Sequence, residues 1–140
     1  MILGYERRDG RKGIRNHVLV AYLVECAHHV ARAIATPFED AGVQLIGFPG
    51  CYPNAYAQRM MEALCTHPNV GAVLVVSLGC EQFNRPRLME LIRASGRPAE
   101  LLVIQKTGGT RATIEAGAPG CRARSPRSPR CRGCRSRSPT

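Results

Sequence analysis

Apolar residues occur in short blocks along the first 117 residues, separated by polar and glycine-containing segments. The strongest block is residues 72–78, AVLVVSL, which carries three valines and no charge. A continuous apolar run of this length is typical of a strand buried on both faces of a parallel sheet. Residues 17–24 form a second such run, and shorter ones lie at 43–48 and 101–104. The pattern therefore predicts four strands.

Each predicted strand is followed by a segment with helical character. Residues 27–35 and 55–67 repeat their apolar positions with the period of a helix. A third helix is predicted to begin near Pro86 and to end at Gly96, and a short fourth helix begins at residue 111. This alternation indicates an α/β domain with a Rossmann-like, mostly parallel sheet of about four strands flanked by helices. The pattern does not give the strand order.

The second predicted helix has a distinct apolar stripe. Its members are Tyr56, Met60, Ala63 and Leu64. We expect Met60 and Met61 to fill the core, because methionine adapts to irregular gaps. Cys65 lies within the same helix and is expected to be a buried small hydrophobe.

Length and composition favour a cytoplasmic protein. A chain of 140 residues fits one domain, and it has no apolar run near the roughly 18 residues that span a bilayer. Charged residues follow Met1 too closely for a signal peptide. In a reducing compartment the seven cysteines are expected to be thiols or metal ligands, and their odd number also argues against a disulfide framework.

The net charge of +10 is unevenly distributed. Residues 1–117 hold 13 Lys and Arg against 10 Asp and Glu, whereas residues 118–140 hold seven Arg and no acid. The second segment also lacks Leu, Ile, Val, Phe and Met, so it is predicted to be a disordered basic tail. The predicted domain is therefore 1–117.

Three interpretations of the tail compete. Its Arg-Ser-Pro repeats are similar to RNA-binding segments. Cys131 and Cys134 have the spacing of half a zinc site, although no partner pair lies nearby in the tail. The composition also matches GC-rich coding DNA translated in a shifted frame. We favour the last interpretation and expect no nucleic-acid partner.

Three cysteines follow three predicted strands, namely Cys26, Cys51 and Cys80. In a parallel sheet these strand ends share one edge, where ligands of α/β proteins bind. Three thiolates suit a soft metal, either zinc or an iron–sulfur cluster. Lining of a substrate pocket and simple packing are the alternatives. The adjacent His28 and His29 point in different directions on a helix and are expected at its surface or first turn rather than as ligands.

Two other segments could bind an anion. The Gly108-Gly109-Thr110 loop after the fourth strand exposes backbone N–H groups before a helix. Residues 4–16 contain several arginines and a turn at Asp9-Gly10. This arm is either a solvated lead-in or a cationic segment, because guanidinium groups pair well with carboxylates.

Three segments resemble the altronate dehydratase and galactarate dehydratase family, some members of which are named altronate hydrolases. They are GYERRDGRKGIRNHVLV at 4–20, HPNVGAVLVVSLGCE at 67–81 and IQKTGGTRATIEAG at 104–117. The resemblance covers residues 4–117 in the family's order. It implies a lyase that removes water from a sugar acid to give a 2-keto-3-deoxy acid, with iron, as Fe2+ or an iron–sulfur cluster, as the activator.

The resemblance and the strand ends together give a candidate site. The catalytic candidates are Glu81, Cys80 and Arg15. The substrate-binding candidates are Arg15, Asn16, Gln105, Gly108, Gly109 and Thr110. The metal candidates are Cys26, Cys51 and Cys80. Glu81 is either the base or a partner that supports another group, and the sequence leaves both roles open.

One segment departs from the family. Where family members carry His-Gly-x-Gly-Cys-Gly, residues 48–53 read FPGCYP, which keeps Cys51 but indicates a divergent subgroup. Family members are also much longer, so the expected partners are a small sugar acid, the remainder of the enzyme or a partner subunit, and further copies in a homo-oligomer. The alternatives to a dehydratase are an inactive fragment, a sugar-acid-binding module and RNA binding through the tail.

Overall fold

The computed structural model describes residues 4–124. Its strands are β1 Tyr5–Glu6, β2 Lys12–Gly13, β3 His17–Tyr22, β4 Val43–Gly47, β5 Val70–Ser77 and β6 Ala99–Val103. Its α-helices are α1 His28–Ala35, α2 Ala55–Cys65, α3 Arg85–Ala94, α4 Ile104–Thr107 and α5 Thr110–Arg124. Short 3-10 turns occupy Glu25–Ala27 and Thr36–Ala41. None of the helices in this part of the chain is long and apolar enough to cross a membrane.

The main sheet has four parallel strands in the order β4-β3-β5-β6. The predicted α/β fold with a parallel sheet flanked by helices is confirmed. Strand β3 pairs with β4 on one side and with β5 on the other, so the winding reverses between β3 and β5. Ligands of open α/β sheets bind at such a switch point, beyond the carboxyl ends of the strands.

Helices cover both faces of the sheet, which explains the unbroken apolar runs. In β3, Val18 and Val20 belong to the core cluster shared with α1 and Cys121 of α5, whereas Leu19 and Ala21 belong to the cluster shared with α2 and α3. Successive residues of a strand point to opposite faces, so a strand covered on both sides is apolar at every position.

Helix α5 extends beyond the predicted domain boundary. Residues 118–124 are helical, so the prediction of a disordered tail is wrong for them. The reason is tertiary packing: Cys121 is fully buried in the core cluster that contains the α1 residues. Gly117 lies so close to Ile34 of α1 that an added Cβ would stand 2.5 Å from its side chain. The remaining tail, including the Arg-Ser repeats and Cys131-x-x-Cys134, lies outside the described residues.

Two glycines of α5 provide a test of this helix packing. Gly117→Ala is expected to lower the free energy of unfolding by about 1–3 kcal/mol, because the methyl group overpacks against Ile34. Gly120→Ala is expected to raise it by about 0.5–1 kcal/mol, because alanine favours the helix and the nearest atom is a Glu100 oxygen at 3.3 Å. Urea unfolding measures both, and equal stability of the variants would contradict the packing of α5 on α1.

The arm at residues 4–16 forms a small antiparallel hairpin. Strands β1 and β2 pair, and the turn lies at the predicted Asp9-Gly10, with Gly10 at φ +81°. Strand β2 approaches the loop before β5 closely, because a Cβ on Gly13 would lie 2.1 Å from the carbonyl oxygen of Pro68. Such an approach explains glycine at position 13.

Helix α2 is rotated by about one residue relative to the predicted orientation. Its buried residues are Ala57, Met61 and Cys65. The predictions for Met61 and Cys65 are confirmed, and burial raises the pKa of the Cys65 thiol to about 12. The prediction for Met60 is wrong, because 43% of this residue is exposed.

Candidate functional site

The three cysteine-bearing loops meet at the carboxyl edge of the sheet. The Glu25 N–H donates to the carbonyl oxygen of Pro49 at 3.0 Å, which ties the loop after β3 to the loop after β4. The Gln82 N–H donates to the carbonyl oxygen of Cys51 at 2.9 Å, which ties the loop after β4 to the loop after β5. The predicted meeting of these loops is therefore present. Their thiols, Cys26, Cys51 and Cys80, are exposed and form no disulfide.

The thiols do not form a metal-binding group. Within residues 4–124, no three His, Cys, Asp or Glu side chains are arranged so that they could hold a metal ion. Iron binds thiolate ligands, so the chemistry of these three cysteines fits iron. The arrangement of their side chains does not. We therefore derive no reaction step through a metal.

Glu81 lies at the centre of a buried hydrogen-bond network. Its carboxylate accepts a hydrogen bond from the hydroxyl of Ser77, the last residue of β5, and another from the backbone N–H of Gly79 at 2.8 Å. The Arg85 guanidinium donates to the same Ser77 hydroxyl at 2.7 Å and stands 3.9 Å from the carboxylate. Glu81 itself is only 5% exposed.

This network keeps Glu81 ionised. Burial alone would raise the pKa of the carboxyl, but hydrogen bonds from Ser77, Gly79 and its own N–H, together with the charge of Arg85, lower it. A carboxylate whose pKa is lowered and whose oxygens already accept hydrogen bonds is a weak base. The geometry thus favours the second of the two predicted roles, in which Glu81 holds the Gly79-Cys80 turn in place.

The end of β6 lies beside this turn. The Gln105 N–H donates to the carbonyl oxygen of Leu78 at 3.1 Å. Gly79 has a φ of +127°, and a Cβ there would stand 2.5 Å from the side-chain oxygen of Gln105. Only glycine combines this backbone conformation with such a close neighbour. The structure therefore brings Gln105 next to Cys80 and Glu81.

The glycine loop that precedes α5 is part of the same edge. Gly108 and Gly109 have φ of +109° and +95°, and the loop leads from α4 into the first residue of α5, Thr110. The N-termini of α1, α2 and α3 follow the carboxyl ends of β3, β4 and β5. Because helix N-termini carry partial positive charge, this edge favours an anionic ligand.

Arg15 and Asn16 lie at the opposite edge of the sheet. They immediately precede β3, whose six residues span about 20 Å at the usual rise of a strand. The Asn16 side chain accepts a hydrogen bond from Arg7 at 2.8 Å, and the Arg15 carbonyl accepts another from the same guanidinium. The structure thus does not bring these two residues together with Glu81, Cys80 or Gln105.

Sequence reasoning missed several residues at the carboxyl edge. Ser77 and Arg85 lie four residues before and after Glu81, and this spacing around the carboxylate was an available signal. His28 lies in the first turn of α1, as expected, and its ring is stacked on Tyr22 with centroids 4.6 Å apart. Its Nδ1 lies 2.9 Å from Glu25. Nothing in the sequence spacing indicated that stacking.

Comparison with known proteins identifies the family of this chain. Residues 4–125 match the profile described as D-galactarate dehydratase/altronate hydrolase, second domain. The chain belongs to this family. The matched segment extends past residue 117, in agreement with the length of α5.

Curated relatives in the family include proteins with two different names. The chain is 32% identical over 112 residues to the (2R)-sulfolactate sulfo-lyase subunit beta of Chromohalobacter salexigens, covering 76% of this chain and 28% of the relative. It is 30% identical over 90 residues to the altronate dehydratase of Escherichia coli, covering 55% and 18%. It is 26% identical over 104 residues to the altronate dehydratase of Bacillus subtilis, covering 64% and 21%.

These matches concern one part of longer proteins. The chain spans 28% of the sulfo-lyase subunit and about a fifth of each altronate dehydratase. No solved structure matches the chain.

Proposed function

We propose that this domain contributes the carboxyl-edge half-site of a hydro-lyase that dehydrates an aldonate or aldarate, such as altronate or galactarate. The observation that supports the proposal most directly is the position of Gly79-Cys80-Glu81. This turn belongs to a segment that resembles the family, and it lies at the switch point of the sheet where ligands of α/β folds bind. The proposed product is the 2-keto-3-deoxy acid.

The proposed reaction removes the proton next to the carboxylate and expels the neighbouring hydroxyl as water. In this proposal the Gly108–Thr110 loop and the N-terminus of α5 bind the substrate carboxylate. Gln105 hydrogen-bonds a substrate hydroxyl. Glu81 keeps its negative charge and fixes the turn that presents Cys80. The proton acceptor is assigned to the companion part of the enzyme, because Glu81 is engaged by Ser77 and Gly79.

Iron remains part of the proposal as a cofactor of the assembled enzyme. Cys26, Cys51 and Cys80 would supply the thiolate donors, and no step of the reaction is assigned to the metal. The support for this assignment is the joining of the three loops by backbone hydrogen bonds. A change in the side-chain arrangement would be required for binding.

A second candidate function is a sulfo-lyase. It is favoured by the sequence identity to the (2R)-sulfolactate sulfo-lyase subunit beta and by the departure at residues 48–53 from the motif expected for altronate and galactarate dehydratases. Both candidates are lyases, and they differ in the leaving group, which is water in one and sulfite in the other.

A chimeric enzyme tests both candidates. Residues 4–124 replace the matched segment of the E. coli altronate dehydratase, and the chimera is assayed with altronate, galactarate and sulfolactate. We expect 2-keto acid formation from a sugar acid, and activity on sulfolactate alone would favour the second candidate. A folded chimera with no activity on any of them, compared with active parent enzyme, would contradict both. Calorimetric binding of a sugar acid by that inactive chimera would support the alternative of a binding module.

Cys80 can be tested in the same chimera. Cys80→Ser is expected to lower kcat and iron content after anaerobic purification by about 10–100-fold. Cys65→Ala is the matched control, because it also removes one thiol but lies in the core, away from the edge. Unchanged iron content and unchanged kcat in Cys80→Ser would rule out the proposed role of this thiol.

A further inference from the structure

Helix α2 and the loop before it carry four exposed large apolar or aromatic side chains, which we call the α2 stripe. Its members are Tyr52, Tyr56, Met60 and Leu64, and they are 81%, 63%, 43% and 38% exposed. They recur every four residues, so the three within the helix follow one flank. Large exposed apolar side chains occur singly on most proteins, but a continuous row of them marks an interaction site.

The stripe lies on the side of α2 that faces away from α3. Core residues Ala57 and Met61 each follow a stripe residue by one position, or roughly 100° around the helix. Glu62 lies on the other side of the core residues and bonds Arg87 of α3 at 2.7 Å. The stripe is therefore not a contact surface for α3.

The position of α2 in the fold connects the stripe to the candidate site. Helix α2 joins β4 to β5, and β4 is one of the two outer strands of the four-stranded sheet in the described residues. An outer strand has one side of its backbone available for a neighbour. The N-terminal member of the stripe is Tyr52, which directly follows Cys51 of the candidate site. A protein seated on the stripe would also reach the carboxyl edge.

We propose that the α2 stripe is the docking surface for the companion domain of the family enzyme. The family profile describes the matched region as a second domain, and this region accounts for only 28% of one relative and about a fifth of two others. Each copy of such a relative therefore carries further polypeptide beside this domain. Enzyme sites form preferentially between domains, and docking here would place the companion domain over Cys51.

The chemistry of the stripe defines the facing surface. Met60 and Leu64 require an apolar partner surface, whereas the two tyrosines combine an apolar ring with a hydroxyl group. The companion domain is thus expected to present aliphatic or aromatic side chains at the centre of the contact and hydrogen-bond acceptors at its margin. A second copy of this chain would instead place one stripe against another, and the experiment below separates these two cases.

Hydroxyl-radical footprinting tests the docking surface directly. The isolated 140-residue chain is compared with the C. salexigens subunit in which residues 4–124 replace the matched segment. Oxidation of Tyr56 and Met60 is expected to fall by about 10-fold in the chimera, because docking covers them. Leu91 of α3, which is 37% exposed, is the control and is expected to keep its oxidation rate.

Charge substitutions give a second measurement. Met60→Glu is expected to lower the Tm of the chimera but not that of the isolated chain. Leu91→Glu is the control and is expected to change the two Tm values equally. Equal oxidation of Met60 in both proteins, or equal Tm shifts from Met60→Glu in both, would overturn the proposal. Dimerisation of the isolated chain that Met60→Glu abolishes would assign the stripe to a second copy and would also overturn it. Neither measurement depends on turnover, so the docking surface can be confirmed or rejected even if the dehydratase assay shows no activity.

Discussion

Replacement of Glu81 by alanine is expected to lower the free energy of unfolding by about 3–5 kcal/mol. The carboxylate is buried and accepts hydrogen bonds from Ser77 and Gly79, so its loss leaves these donors without their acceptor. Arg85 also loses the anion that lies 3.9 Å away. Urea unfolding of the wild-type chain and the variant measures the difference.

Glu62→Ala is the matched control for this prediction. Glu62 contacts Arg87 at 2.7 Å, closer than Glu81 contacts Arg85, but the side chain of Arg87 is 59% exposed. An ion pair with such an exposed partner contributes little to stability, so the loss in Glu62→Ala is expected to be much smaller than in Glu81→Ala. A larger loss in Glu62→Ala than in Glu81→Ala would show that ion-pair distance, rather than the buried network, determines the stability.

The pH dependence of the free energy of unfolding tests whether ionised Glu81 stabilises the fold. The pKa of Glu81 is lowered in the folded state, so ionised Glu81 stabilises the fold at pH values above the unfolded pKa of about 4.3. The contribution is lost as the pH falls through the folded pKa. The stability difference between wild type and Glu81→Gln is therefore expected to be largest near neutral pH and to shrink below about pH 4. A difference that grows on acidification would contradict the assignment.

The parallel sheet was predictable because its strands are buried on both faces. Each strand position must then be apolar, as in Val73 and Leu74, and the resulting runs are unmistakable in the sequence. The strand order was not predictable, because all four strands are similar apolar runs and their pairing depends on how the connecting helices pack on the sheet. The end of α5 was missed because small residues such as Gly117 carry no apolar signal, although they allow close helix contact.

The prediction of the candidate site was correct for residues that follow a parallel strand and wrong for a residue that precedes one. Cys51 and Cys80 follow parallel strands, so their loops must share an edge, as the hydrogen bond between Gln82 and Cys51 shows. Arg15 matched a family motif, but it precedes β3 instead of following it. Motif membership alone carries no information about which end of a strand a residue occupies, but the strand predicted at residues 17–24 already placed Arg15 before its start.

Arg97→Ala is expected to be the second strongly destabilising substitution, with a loss of about 3 kcal/mol. Its side chain is 2% exposed and donates to the carbonyl oxygens of Val70 at 2.9 Å and His67 at 3.1 Å, and to the Asp9 carboxylate at 2.9 Å. Hydrogen bonds from Arg11 and Arg97 hold the pKa of Asp9 well below its usual range. One guanidinium thus joins the hairpin to the start of β5, and alanine leaves these acceptors without a donor.

Arg15→Ala separates a structural role of Arg97 from a general effect of positive charge at the same edge. Arg15 is exposed and belongs to the arm that resembles the family, so its loss is expected to change the free energy of unfolding by no more than about 0.5 kcal/mol. In hydrogen exchange, Arg97→Ala should release the β1–β2 hairpin selectively, because Asp9 loses its link to the sheet. Equal stability of the two variants would show that the hairpin is held by other contacts, such as those of Arg7 with Pro68 and Asn16.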